Sequence, residues 1–431
     1  MLVEGYSNFL WTLLIAPFLL VSIDPLIAAR SLSFLSAIFC LLVLDKLIRE
    51  YNPGLGKIGV GISLSTVSLS STFLAWMVGG LETLFFSFLV LLFVFLETRE
   101  SELAEITSPI VVLLLALTRP EGLILLPVMV IYRIFLRGIS GFKTLRSIFL
   151  FIIPFTLFLL WRYRMYGYVL PNSAYIKIHT NLQTISLASH WLLQFFLLRP
   201  IFSMVLALSF IILIKEKRLL DQQWSILMLI VGSFMAFILY AGRDWMPFHR
   251  FLVPLIPLFG LLIANAISTF QNGISRIVIL TLVTSIGIFE LVMSVSVYRQ
   301  QITDFGRYTS GLIEAGERIK QTTRAESTIA VVDGGALAYF SERPTIDIVG
   351  LNNTQIAHHP EMDVAGYVLD FDPLIVQLHL DRLPSGEFVG SKDLGVNSLI
   401  LRHPEFTSCY KLAYEKSEDP YFPFLFIRVC D

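Results

Sequence analysis

Between Tyr240 and Pro257 the chain reads YAGRDWMPFHRFLVPLIP, which places Arg243, Asp244, His249 and Arg250 within eight residues. Two arginines, a histidine and an acid, interleaved with Trp245, Met246 and Phe248, suit an anionic head group, because guanidinium binds phosphate through two parallel hydrogen bonds. The plainer reading is a positively charged helix end with an aromatic belt at a membrane boundary. The loop alone leaves both open.

Other segments add groups of the same kind. WMVGGLET puts Glu82 at the mouth of an apolar run, and LTRPEG puts Arg119 and Glu121 between two runs too short to cross a membrane singly. Such a turn is expected to be buried in protein rather than facing lipid. WRYRMYGYVLPNSAYIKIH carries Arg162, Arg164, Asn172, Lys177 and His179 among tyrosines. Aromatic faces stack on sugar rings, and amides and carboxylates bond hydroxyls. Each piece by itself also reads as an interfacial anchor or a buried ion pair. Weaker signals are set aside. Gly54–Gly59 matches G-x-G-x-x-G but follows no strand. Asp370 and Asp372 form a lone D-x-D, and His358–His359 lack a third ligand at a recognisable spacing. No G-x-S-x-G elbow or Walker loop is present.

The elements that must position these groups are membrane spans. Of 431 residues, 55% are hydrophobic and 15% charged, the mean hydropathy is +0.73, and the apolar residues come in long blocks. The formal net charge of −1 argues against nucleic acid, which calls for a basic face. Three cysteines are too few for a disulfide scaffold; Cys409 and Cys430 can pair if their region is extracytoplasmic. The start, MLVEGYSN, lacks the basic region of a cleavable signal peptide.

By the length rule about ten spans are expected, among them Leu26 to Leu44 (despite Arg30), Ile58 to Leu74, Leu84 to Leu96 and Ile148 to Trp161, followed by two flanking the opening stretch and Ile277 to Tyr298. Asn8 to Ile23, at 16 residues with Pro17, is marginal. The basic loops Asp45–Lys57, Arg133–Arg146 and Lys215–Arg218 fall on one side by parity, which makes that side cytoplasmic. The polar segments above, and everything after Tyr298, then share the opposite face. Residues 1–298 read as the multi-pass domain. Residues 299–431 read as a water-soluble α/β domain, with a helix near Leu312–Gln321 and strands at STIAVVD, PTIDIVG, NSLILRH and YFPFLFIRV.

The ordered series GYSNFLWTLL, DPLIAARSLSFLSA, GLET, LTRPEG, YGYVLPNSAYIK, RDWMPFHRFLVPLIP and DGGALAYFSERPTIDIVGLNNTQIA resembles bacterial membrane glycosyltransferases of the GT-C fold, most closely the terminal arabinofuranosyltransferases and their relatives. The similarity runs from Glu4 to about Ala357. It implies a polyprenyl-phosphate-linked sugar donor, a cell-envelope glycan or lipid acceptor, surrounding membrane lipids, and a place in the bacterial cytoplasmic membrane with the C-terminal domain outside. No cofactor is implied, and the residues do not decide on a divalent metal. In such enzymes the first extracytoplasmic loop carries an acidic motif whose aspartate is the expected base. Here residues 1–25 correspond to the end of that loop and the juxtamembrane helix, so the base is expected upstream of Met1. A truncated copy or one that has lost its base are both open, and Glu4 is not promoted to the role. Arg243, His249 and Arg250 are the first candidates for the leaving phosphate and Lys177 and Arg162 the second, with Asp244, Glu82 and Glu121 orienting sugar hydroxyls or holding arginines. A non-catalytic relative that binds lipid-linked sugar, and a lipid-linked glycan transporter, are the alternatives. The second would place polar groups deep in the spans.

Overall fold

Apolar runs set the helices of this chain, and proline, glycine and side-chain caps end them. A computed structural model describes residues 3–177, 182–244, 246–270, 273–293, 295–296, 299–382, 388–390, 395–414 and 423–430. In chain order the first helices are α1 (Phe9–Leu20), α2 (Pro25–Tyr51), α3 (Lys57–Ser68), α4 (Ser71–Val78), α5 (Thr83–Glu97), α6 (Glu102–Thr118) and α7 (Leu125–Ile131). Then follow α8 (Gly141–Tyr166), α9 (Asn172–Lys177), α10 (Leu182–Leu197), α11 (Pro200–Lys215), α12 (Gln222–Ala241), α13 (Ile256–Thr269) and α14 (Gly273–Met293). The chain divides into two compact units. One, helical, holds residues 7–161 and 179–298; the other, α/β, holds residues 299–431 together with 1–6 and 162–178.

In the helical unit, α2 starts cleanly because the Asp24 carboxylate accepts from the Leu26 and Ile27 N–H groups and Pro25 fills the first helical position. The helix α13 is apolar all round and accordingly lies buried along almost its whole length, with α3 and α11 packed against it. By contrast α8 and α14 keep most of their surface open, as lipid-facing helices do.

Among the described residues five helices are long and apolar enough to cross a membrane, or up to seven if each bent pair is one span, against the expected ten or so. The difference has a physical cause. Two apolar runs bend instead of continuing, α3–α4 by 62° and α10–α11 by 97°, and others form helices too short to cross alone, such as α1 and α5.

Glu97, at the C-terminal end of α5, takes part in a fully buried network. Its carboxylate binds the Arg133 guanidinium through three hydrogen bonds and accepts from the Ser108 hydroxyl. Arg133 also donates to Ser147 Oγ and the Glu105 carbonyl. A second buried pair joins Arg199 Nε to Glu290 at 2.6 Å, with Glu290 also accepting from the Ser71 amide and hydroxyl.

The α/β unit is built on a five-stranded sheet. Its strands are β1 (Ile329–Val331), β2 (Thr345–Asp347), β3 (Ile375–Leu378), β6 (Tyr410–Tyr414) and β7 (Phe424–Arg428), in the order β2-β1-β3-β7-β6; β4 (Leu380–Arg382) and β5 (Phe388–Gly390) form a separate hairpin. The first three are mutually parallel, β7 runs antiparallel to β3, and β6 runs antiparallel to β7. Alternate residues serve the two faces. Ile329 and Val331 pack with Leu312, Ala315 and Ile319 of the helix α15 (Arg299–Thr322), while Ala330 and Val376 belong to the other core. The segment NSLILRH, expected as a strand, is helical up to Arg402, in a helix Gly395–Arg402 that buries Asn397 and Ile400 one turn apart. Short apolar runs fit either period. Cys409 and Cys430 are joined by a disulfide.

Candidate functional site

Proline dictates the first part of the site. Pro120 disfavours helix at the residue before it, so α6 ends at Thr118 and Arg119 is extended, at φ −151° and ψ 141°. The following turn folds tightly back on α6. A Cβ on Gly122 would lie 2.3 Å from the Leu115 carbonyl carbon, so only glycine fits. This geometry turns the Arg119 guanidinium onto Glu82, just before α5, with Nη1 donating to Glu82 Oε1 at 2.9 Å. Its Nε donates to Glu121 in the same turn. Glu82 Oε2 accepts from Asn8 Nδ2 at 2.9 Å. All three charged side chains are nearly buried.

The loop after α12 supplies a second pair. Arg250 donates through Nε to Asp244 Oδ2 at 2.9 Å and through Nη2 to Oδ1 at 3.1 Å, a two-pronged contact. Asp244 also accepts from the Met246 amide. The two pairs form one cluster. The Phe251 ring lies 5.6 Å from the Arg119 guanidinium and 5.7 Å from that of Arg250, and the Asp244 charge acts on Arg119. Trp76 adds a wall: its ring lies 5.9 Å from Arg250 and its indole N–H donates to the Phe248 carbonyl.

That loop carries strain. Phe248 and His249 both have left-handed backbone, at φ 60° and 50°, a conformation that costs a non-glycine residue about 1–3 kcal/mol. The His249 ring is wedged between Trp191 and Phe195, with centroids 4.9 and 5.1 Å away. Burial, and then the charge of Arg199, lower its pKa to about 4. His249 is therefore a neutral ring at pH 7, not a cation for phosphate as the sequence had suggested. Arg243 is exposed in the same loop.

The remaining candidates belong to the α/β unit. Arg162 Nε donates to Glu4 Oε2 at 2.5 Å, and both are buried. Asn172 is a brace: its side chain donates to the Leu351 carbonyl and meets His358 Nε2 at 3.3 Å, and its amide donates to the Glu4 carbonyl. The His358 ring stacks on Tyr168. The Lys177 side chain, His179 and Trp245 lie outside the described residues. Asp372 of the D-x-D pairs with Arg428 at 2.7 Å, and His359 with Glu361. Among the described residues no group of three or more His, Cys, Asp or Glu side chains is placed to hold a metal ion.

Thus Glu82, Arg119, Glu121, Asp244 and Arg250 come together, with His249 beside them as an uncharged ring. Sequence reasoning passed over Asn8, Trp76 and Phe251. These are ordinary residues in apolar surroundings, and only the tertiary fold gives them a place at the cluster.

Residues 294–421 match the model of a domain of unknown function, DUF8728. No curated protein matches the sequence. Among solved structures, the chain is similar to ArnT from Cupriavidus metallidurans in its apo state, with a TM-score of 0.59 at 12% identity, over 99% of this chain and 88% of that one. At that identity the likeness speaks for architecture. The chain is a multi-pass helical membrane protein of the GT-C fold, with a small sheet domain in its C-terminal region.

Proposed function

We propose that this chain is a membrane glycosyltransferase, taking sugar from a polyprenyl-phosphate donor and passing it to a cell-envelope glycan or lipid on the outer face of the bacterial cytoplasmic membrane. The observation that carries the reading is the cluster of two arginines and three carboxylates around Phe251, held by one helical unit. Two facts support it. ArnT, whose architecture this chain shares, is an undecaprenyl-phosphate-aminoarabinose transferase. The Cys409–Cys430 disulfide suits an oxidising compartment, which favours an extracytoplasmic α/β unit.

In the reaction an acceptor hydroxyl gives its proton to a base and attacks the anomeric carbon. The bond from that carbon to the phosphate oxygen breaks, and the lipid phosphate leaves with the electron pair. Negative charge grows on the phosphate, so fixed positive groups stabilise the transition state more than the ground state. Arg119 and Arg250 are those groups. The Arg119 Nη2 nitrogen makes no hydrogen bond among the described residues and is available to a ligand oxygen. Glu82, Glu121 and Asp244 hold the guanidinium planes in place, and their remaining lone pairs can accept from sugar hydroxyls.

The test is a transfer assay in nanodiscs with polyprenyl-phosphate-linked pentose and hexose donors, reading free polyprenyl phosphate. Release from at least one donor, lost on Arg250→Ala with the protein still folded, is the expected result. No release from any donor, or full turnover by Arg250→Ala, rejects the assignment.

A further inference from the structure

The α/β unit carries a polar cluster of its own, at the carboxyl ends of its parallel strands, and the order of the sheet explains its place. From β1 the chain passes through α16 (Ala336–Ser341) to β2 on one side, and β3 is then added on the other side of β1. The connections that leave β1 and β3 also take opposite faces. Leu337 of α16 shares a core with Ile329 and Val331, whereas Ile400, in the helix Gly395–Arg402 that follows β3 and the hairpin, shares one with Ala330 and Val376. This is a topological switch point, and in sheets of this kind ligands bind in the crevice beyond the strand ends there.

Asp333 lies two residues past β1, and His379 directly follows β3. His379 Nε2 is 2.6 Å from Asp333 Oδ2. Tyr308, on α15, donates to Asp333 Oδ1 at 2.5 Å, and its oxygen is 3.1 Å from His379 Nε2. Gln377 of β3 donates to Asp333 Oδ2 at 3.0 Å and accepts from the Val332 and Asp333 amides. An ionised carboxylate only accepts, so Nε2 carries the proton and the lone pair of the His379 ring sits on Nδ1. That nitrogen makes no hydrogen bond among the described residues, and the His379 and Asp333 side chains are 28% and 18% exposed. Tyr308 and Gln377 suffice to fasten α15 to the sheet; an imidazole oriented by a carboxylate, with its acceptor left open, does more than fasten.

Glycine keeps the approach clear. A Cβ on Gly334 would lie 3.0 Å from Asp347 Oδ2, so the turn after β1 presses against the end of β2. Asp347 is itself fixed there by the amides of Val349, Gly350 and Asn352. At the exposed Gly335 a Cβ would meet nothing within 4 Å.

The open groups are acceptors: His379 Nδ1, the second lone pair of Asp333 Oδ1 and the Tyr308 oxygen. Among the described residues no lysine or arginine bonds to the cluster, so a phosphate would meet a carboxylate without a counter-charge. The turn reads DGGA and lacks the glycine spacing of a dinucleotide loop. Three donors already meet the charge of Asp333, which leaves little for an ammonium group. Hydroxyls donate to such acceptors, and a sugar ring can lie on an aromatic face.

We infer that this crevice binds a neutral glycan, a ring hydroxyl donating to His379 Nδ1. The choice of a glycan rests on the proposed function, which calls for an envelope acceptor; the site rests on the geometry of the α/β unit alone.

The test is isothermal titration of the full chain in nanodiscs with arabinohexaose and with mannohexaose. Wild-type protein should bind at least one of them saturably. His379→Phe keeps a ring and removes the acceptor, and should weaken binding about tenfold or more. Gly335→Trp, which fills the crevice and removes no side-chain hydrogen bond, should do the same, and it decides alone if His379→Phe does not fold. Arg250→Ala, in the helical unit, should bind as wild type does, and neither uridine diphosphate nor spermidine should compete. No binding of either glycan, undiminished affinity in a folded His379→Phe or in Gly335→Trp, loss in Arg250→Ala, or competition by the nucleotide or the amine overturns the inference. The titration is independent of sugar transfer. His379-dependent binding in a protein that releases no polyprenyl phosphate sustains this site and rejects the enzymatic reading; release without such binding does the reverse.

Discussion

Glu82 and Glu97 flank the same helix, α5, and each is held by an arginine from further along the chain. At the Glu97 end every nitrogen of Arg133 is engaged, by the carboxylate, by Ser147 and by the Glu105 carbonyl, and the pair is 1% and 0% exposed. At the Glu82 end the pair is 8% and 7% exposed, Arg119 Nη2 is unused, and a second arginine–carboxylate pair stands alongside with a strained loop between. The same two residue types do different things. A saturated network fastens helices together; one with spare donors, next to strain and partial exposure, is built to receive a ligand.

The contrast can be broken by exchange. Arg133→Met leaves the Glu97 carboxylate buried without its partner, which costs about 3–5 kcal/mol; folded protein should largely disappear from size-exclusion profiles, and Glu97→Gln added to it should recover part of the loss. A normal profile for the single variant would show that this end is not structural. Arg119→Lys keeps the charge and gives up the fork, so sugar transfer should drop roughly 100-fold with little change in thermal unfolding. An equal loss of stability in Arg119→Lys and Arg133→Lys would erase the distinction.

Acid sharpens it further. His249 has a folded pKa near 4, below its ordinary value, so the unfolded chain binds the proton more readily than the folded one. Stability from this site is complete above about pH 6.5 and declines as the pH falls towards 4, reaching about 1–2 kcal/mol at pH 5. Protection from hydrogen exchange, relative to the intrinsic rate at each pH, should fall in residues 246–255 at pH 5 while that around Glu97 does not, and His249→Phe should remove the pH dependence. The smallest effect is expected from Asn8→Ala. Loss of one hydrogen bond to Glu82, worth about 1 kcal/mol, should slow transfer severalfold without shifting the Arg133 end.

Much of this architecture was legible in the residues. Pro120 and Gly122 announce a turn that breaks a membrane run, and the short apolar run in STIAVVD reads as a strand. Other features were not. Apolar runs such as Asn8 to Ile23 and Leu84 to Leu96 fold as helices too short to cross alone, so fewer spans form than the length rule counted, and nothing in the hydropathy of Ile58 to Leu74 marks the bend at Leu69–Ser70. Residue type marked His249 as a candidate cation beside Arg250; burial keeps its ring neutral, while Arg250 stays a guanidinium held by Asp244.

The central claim is most directly tested by cryo-electron microscopy of the protein in nanodiscs with a non-transferable polyprenyl-phosphate sugar. The account predicts head-group density within hydrogen-bond reach of Arg119 and Arg250. Head-group density away from both arginines, with the cluster unchanged and its Arg119 nitrogen still unengaged, would contradict it.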